Sequence, residues 1–159
     1  MEYIVGVLLA MVAAGGATLI GFDRSRSLYP FCLILIASYY CLFAVIGGSE
    51  LALWQDSFVA ILFSIIAIVS FRTSLWLAVA ALAAHGVLDL VHHHIISNPG
   101  VPSWWPGFCS AVDITLALYL ALCTAVRGES GRSCLHVHLW SADDACSVAG
   151  CSMVRSDRY

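Results

Sequence analysis

Long apolar stretches, separated by short polar connections, dominate the pattern of the chain. Each stretch is close to the ~20 residues that an α-helix needs to cross a hydrocarbon core of ~30 Å. A helix suits this solvent because it pairs every peptide group within its own segment, where no water is available. The pattern therefore predicts an all-α polytopic bundle of about five transmembrane helices within residues 1–127, at residues 3–22, 28–46, 51–71, 75–96 and 108–126.

Two of these stretches admit a second interpretation. Gln55 and Asp56 stand near the start of the third stretch, so its embedded part is expected to begin near Ser57 and to be short. The first stretch could be a cleaved signal peptide, but Glu2 precedes it without any basic residue. Its apolar run is also longer than the usual 7–15 residues of a signal peptide, which favours a retained helix.

The arginines predict an orientation. They follow the first, third and fifth stretches, at Arg24, Arg26, Arg72, Arg127 and Arg132. Basic residues on every second connection are typical of cytoplasmic loops. The N-terminus is therefore predicted outside and the C-terminus in the cytoplasm, for a multi-pass protein of the inner or plasma membrane.

Composition narrows the partners. Hydrophobic residues make up 61% of the chain and charged residues 11%, whereas soluble domains contain about 45–50% and about 25%. The lipid bilayer is thus the expected partner of most of the surface. A net charge of −3 without any lysine or basic patch argues against nucleic acid. Residues 128–159 are much more polar and predict a disordered cytoplasmic tail.

Ionisable residues concentrate in the fourth and fifth stretches, where their burial in lipid would be costly unless they face the bundle interior. They are His85, Asp89, His92, His93, His94 and Asp113. At 100° per residue, His85, Asp89, His92 and His93 share an arc of about 100° on one face of the fourth helix. His94 lies on the opposite side of that helix. A short loop with three prolines makes the two helices antiparallel neighbours, so Asp113 is expected to face Asp89.

These side chains predict one divalent metal ion near the outer membrane face. Two imidazoles with one or two carboxylates suit zinc, iron or manganese. The predicted ligands are His85, His92 or His93, and Asp113, around a water that the metal activates. Asp89 is the predicted catalytic base, or the partner that orients a ligand. The substrate would be a lipid or another apolar molecule.

Two other functions stay open, so the residues do not decide whether the chain is an enzyme. The same side chains could relay protons or bind a metal during transport or sensing, because histidine has a reference pKa of ~6.5. Five helices are few for a transporter, so this version requires a homo-oligomer. Alternatively, His85 and Asp89 could simply bond each other in an accessory protein and hold two helices together.

The spacing of these residues resembles a known motif. The pattern H-x3-D-x2-H-H, followed by Asn-Pro, a second Pro and C-x3-D, resembles a family of small bacterial membrane proteins classed as a domain of unknown function. The motif residues are His85, Asp89, His92, His93, Asn98, Pro99, Pro102, Cys109 and Asp113. The resemblance covers residues 72–127 and implies that these residues act as one unit, without implying a reaction. A weaker likeness, to ceramidase and adiponectin-receptor metal hydrolases, concerns chemistry only.

Overall fold

The computed structural model describes residues 1–21 and 27–148, with side chains described as far as Val126. The described residues form five helices: α1 (Glu2–Leu19), α2 (Leu28–Ile46), α3 (Glu50–Arg72), α4 (Leu75–Ile95) and α5 (Trp105–Val148). Each contains a span long and apolar enough to cross a membrane, which in α5 is Trp105–Val126. The predicted all-α class and the five predicted helices are confirmed.

The predicted orientation and the predicted tail depend mainly on residues outside the described part of the chain. Arg24 and Arg26, which contribute to the predicted orientation, lie outside the described residues, and the orientation stays a prediction. The backbone of α5 is helical through Val148, and residues 149–159 are also outside the described part. The disordered tail predicted for residues 128–159 likewise stays a prediction. The site described below lies within one compact unit, Met1–Thr124.

Helix α3 is longer than its sequence pattern suggested. It begins at Glu50 and has 23 residues, because the Ser49 side chain accepts a hydrogen bond from the Ala52 amide and caps the first turn. Asp56 lies in the second turn with 2% of its surface exposed. The helix therefore begins before Ser57, and the position at which its membrane-embedded part begins stays a prediction. Asp56 is buried among partners in the bundle.

Small residues bring the helices close together at the level of the candidate site. A Cβ atom on Gly86 of α4 would lie 3.1 Å from the Cβ atom of Asp113 in α5. Gly6 similarly places α1 against α5, because a Cβ atom there would lie 2.6 Å from the Phe108 carbonyl oxygen. Close approach through small residues is a usual way for helices to pack in lipid, which offers little hydrophobic drive for association.

The α2–α3 connection, the α4–α5 connection and the start of α1 lie together at one end of the bundle. A Cβ atom on Gly47, between α2 and α3, would lie 2.5 Å from the backbone nitrogen of Gly100, between α4 and α5. Gly107 at the start of α5 lies against Tyr3 of α1. We call this the loop end of the bundle, and the candidate site extends inward from it.

Candidate metal centre

Helix α4 supplies the buried polar face. His85, Asp89 and His92 follow one another at intervals of four and three residues, which places them on one side of a helix. Their exposed fractions are 1%, 0% and 3%. Three of the four residues predicted on this face are thus directed into the bundle. His93, the fourth, is exposed, as is His94, which the sequence had placed on the opposite side.

Three of the predicted residues converge in a fully buried cluster, which we call the inner centre: His85, Asp89 and Asp113. The Nδ1 atom of His85 lies 2.7 Å from Oδ2 of Asp113 and 3.6 Å from Oδ2 of Asp89. One possible ligand atom from each residue lies within 4.8 Å of the others. Asp113 and Asp89 therefore do approach each other, as the short α4–α5 connection predicted.

Neighbouring aromatic side chains fix the orientation of the inner centre. The Phe63 ring meets the His85 ring edge to face, with centroids 4.8 Å apart. The Tyr40 hydroxyl of α2 donates a hydrogen bond of 2.8 Å to Oδ1 of Asp89. The remaining oxygens, Oδ2 of Asp89 and Oδ1 of Asp113, are buried and accept no hydrogen bond from an N–H or O–H group of the described residues, while the two carboxyl groups lie close enough to share a proton. Most buried polar atoms do have a partner, so these two require an explanation, such as a shared proton or an ion.

The inner centre also has few positive charges available to it. Arg72 is the one arginine or lysine with a described side chain, and it is exposed at the far end of α3 from the loop end. Two buried carboxylates without a cation are strongly disfavoured in a low-dielectric interior. Protonated His85, a shared proton or a bound metal ion must therefore supply the compensating charge.

A second buried pair lies closer to the loop end, and we call it the outer pair: His92 and Asp56. The Nε2 atom of His92 lies 2.8 Å from Oδ1 of Asp56, and the Asn98 amide donates to Oδ2 of Asp56 at 2.7 Å. The same amide donates to the Tyr40 carbonyl at 3.0 Å, and the Gly100 amide donates to Oδ1 of Asn98 at 3.1 Å. The outer pair therefore joins α2, α3 and α4 to the α4–α5 connection.

A cavity of about 460 Å³ opens beside the outer pair. We call it the loop pocket. Its lining includes His92 and His93, several residues of the α4–α5 connection, and Tyr3 of α1. His94 does not contribute to this lining, in agreement with its exclusion from the predicted site.

The structure thus divides the predicted ligands between two places. His85 and Asp113 lie together with Asp89, the predicted catalytic base, whereas His92 and His93 line the loop pocket. Sequence reasoning missed the contributions of Tyr40 and Asp56. Asp56 gave a signal, since a carboxylate inside an apolar stretch requires a partner. Tyr40 gave none, because tyrosines are ordinary in membrane helices.

The donor set of the inner centre fits a divalent metal. Tetrahedral zinc with ligands at about 2.0–2.1 Å separates neighbouring ligand atoms by about 3.3 Å. The two distances from His85 Nδ1, 2.7 Å to Oδ2 of Asp113 and 3.6 Å to Oδ2 of Asp89, bracket that value, and one ligand atom from each residue lies within 4.8 Å of the others. Three protein ligands would leave one coordination position for water or substrate.

No protein-family model, no curated protein and no solved structure matches this chain. The resemblance of residues 72–127 to a bacterial family of unknown function therefore stays a prediction.

Proposed function

We propose that this chain is an integral protein of the cell membrane that binds one divalent metal ion at the inner centre and uses it on a lipid or another apolar substrate. One observation carries the proposal. Two fully buried carboxylates surround a single imidazole, and one oxygen of each has no hydrogen-bond partner among the described residues. A divalent cation bound between the two carboxylates would compensate both charges.

The roles of the residues follow from their contacts. His85, Asp89 and Asp113 would be the ligands, and the Tyr40 hydroxyl would hold Asp89 in the orientation that ligation needs. Nitrogen and carboxylate donors suit zinc, iron or manganese. A metal with three protein ligands supplies a water that is acidic enough to become a nucleophile near neutral pH. In this proposal Asp89 is a ligand and takes the place of His92 or His93 in the ligand set predicted from the sequence. The sequence had predicted Asp89 as the catalytic base or as an orienting partner.

Two competing functions are distinguishable from this one by measurement. In a proton relay, the compensating charge at the inner centre is a proton, and the protein binds no metal. In an accessory protein, the cluster only joins α4 to α5, and replacing a carboxylate changes stability without changing any metal content. Each alternative thus predicts a different metal content for the wild type and its variants.

Elemental analysis of purified protein in detergent, with any affinity tag removed, tests the proposal. The wild type is expected to retain about one zinc, iron or manganese ion per chain, and His85→Gln and Asp113→Asn to retain almost none. His94→Gln and Glu50→Gln are matched controls, because both residues are exposed and lie outside the inner centre. Both controls should keep the wild-type content. A metal-free wild type, after reloading with each of the three metals, would overturn the proposal.

A further inference from the structure

The loop pocket has a composition that the inner centre does not explain. It contains two imidazoles, His92 and His93, in a cavity of about 460 Å³ that opens at the loop end. We propose that this pocket is a second metal site, which captures a divalent transition-metal ion through His92 and His93 and passes it to the inner centre. The inference rests on the proposed function, because it supplies the ion that the inner centre holds.

His92 is arranged as metal-binding histidines usually are. Its Nε2 atom is held by Oδ1 of Asp56 at 2.8 Å. Histidines that bind metals commonly donate one ring N–H to a carboxylate, which fixes the ring and leaves the other nitrogen as the ligand. Asp56 is itself held by Asn98 through its second oxygen. Asp56 is therefore a positioning residue, and Nδ1 is the nitrogen of His92 that remains for an ion.

The pocket has the size and the donors that a capture site needs. A water molecule occupies about 30 Å³ in the liquid, so a cavity of about 460 Å³ accommodates a cation with its hydration shell. His93 is exposed, and so are Ser97 and Ser103 in the same lining. Imidazoles prefer zinc, copper, nickel and iron to the hard cations calcium and magnesium. Two imidazoles without a charged ligand would bind such ions more weakly than the inner centre does.

Tyr40 connects the pocket with the inner centre. Its ring stacks on the His92 ring with centroids 4.0 Å apart, and its hydroxyl donates to Asp89 at 2.8 Å. His92 and Asp89 are three residues apart on α4, which corresponds to about 4.5 Å along the helix axis. His92 and Asp89 are therefore separated by less than one helical turn along α4, with the Tyr40 side chain in contact with both.

Cobalt(II) uptake, followed by stopped-flow absorption on metal-free protein in detergent, tests this inference. Wild type should fill to about one ion per chain, and Asp113→Asn should leave the inner centre empty. Asp56→Asn should reach the wild-type end point about tenfold more slowly. The reason is that an asparagine amide can donate to Nε2 of His92, which moves the ring proton to Nδ1 and blocks the ligand.

Two further variants address the pocket without touching the buried network. His93→Gln removes one imidazole, and Ser103→Trp fills the cavity from an exposed position. Both should slow cobalt uptake and leave its end point unchanged, while the control Ser64→Ala, which removes only a local hydrogen bond to the Ala60 carbonyl, should fill at the wild-type rate. If all variants of the pocket and Asp56→Asn fill as fast as wild type, the capture site is wrong and the inner centre stands. If wild type takes up no cobalt, the proposed function and the capture site both fall.

Discussion

The inner centre and the outer pair are built from the same side chains, but their hydrogen bonding differs. In the outer pair, both oxygens of Asp56 accept hydrogen bonds, from His92 and Asn98. In the inner centre, one imidazole serves two carboxylates, and an oxygen of each is left without a hydrogen bond among the described residues. A hydrogen-bond network in which every buried atom has a partner stabilises a fold without further ligands. Where buried carboxylate oxygens lack donors, a proton or a cation has to compensate their charge.

This difference assigns different roles to two similar clusters. The outer pair joins helices at the loop end and, in the proposal above, orients the His92 ring for ion capture. The inner centre has a ratio of carboxylate to imidazole that is suited to a cation. If this distinction is correct, loss of the Asp56 carboxylate should lower stability with and without metal, whereas loss of the Asp113 carboxylate should mainly abolish metal binding.

The largest effect is expected from Asp56→Ala. It removes the acceptor of both His92 and Asn98, and breaking a buried pair by deleting one partner costs about 3 kcal/mol or more. The midpoint of thermal unfolding in detergent should fall clearly, with and without metal. Ser64→Ala, which removes only a local hydrogen bond to the Ala60 carbonyl, is the control and should change the midpoint little. An unchanged midpoint for Asp56→Ala would mean that the outer pair contributes no stability.

Asp113→Asn should affect the response to metal rather than the metal-free protein. The wild type should gain about 2.7 kcal/mol of stability at a free metal concentration one hundred times the Kd. Asparagine keeps the shape and an acceptor for His85, so the metal-free variant should be as stable as the metal-free wild type or more stable. Unfolding midpoints measured with zinc and with a chelator give both quantities. A variant that is destabilised equally in both conditions would make the inner centre a packing device.

Gly86→Ala should disturb the inner centre through packing alone. The added Cβ atom would lie 3.1 Å from the Cβ atom of Asp113 and from Cγ1 of Ile114, so α5 has to move by a few tenths of an ångström. Overpacking of this kind costs about 1–3 kcal/mol. Zinc affinity, measured by competition with a chelator, should fall as well. Gly16→Ala is the matched control, because nothing lies within 4 Å of its Cβ position and alanine favours the helix.

Tyr40→Phe should give the smallest change. It keeps the ring that stacks on His92 and removes only the hydrogen bond to Asp89, which is worth about 1 kcal/mol. The metal-free protein should therefore lose little stability, and zinc affinity should fall severalfold because Asp89 loses its orienting partner. Equal losses of stability with and without zinc would show that Tyr40 serves the fold alone.

The sequence predicted the helices and one face of the site well, because both depend on local periodicity. Hydropathy located all five helices to within a few residues at most of their ends. A 100° helical wheel placed His85, Asp89, His92 and His93 on one face of α4, of which the first three are buried and His93 is exposed. It could not separate His92 from His85 as ligands, because both lie on the same face. Their separation depends on which carboxylate of another helix each one meets.

Those carboxylates belong to different helices, and only tertiary packing selects them. Asp113 of α5 meets His85, and Asp56 of α3 meets His92, although 28 and 36 residues separate the partners in the chain. The sequence by itself determined that polar groups in apolar helices must find partners inside the bundle, since lipid offers none. The tertiary structure decided which partners they find, because helix order, rotation and close approach at Gly86 set the distances between side chains. It therefore also decided that both oxygens of Asp56 accept hydrogen bonds, whereas one oxygen of Asp89 and one of Asp113 accept none from the described residues.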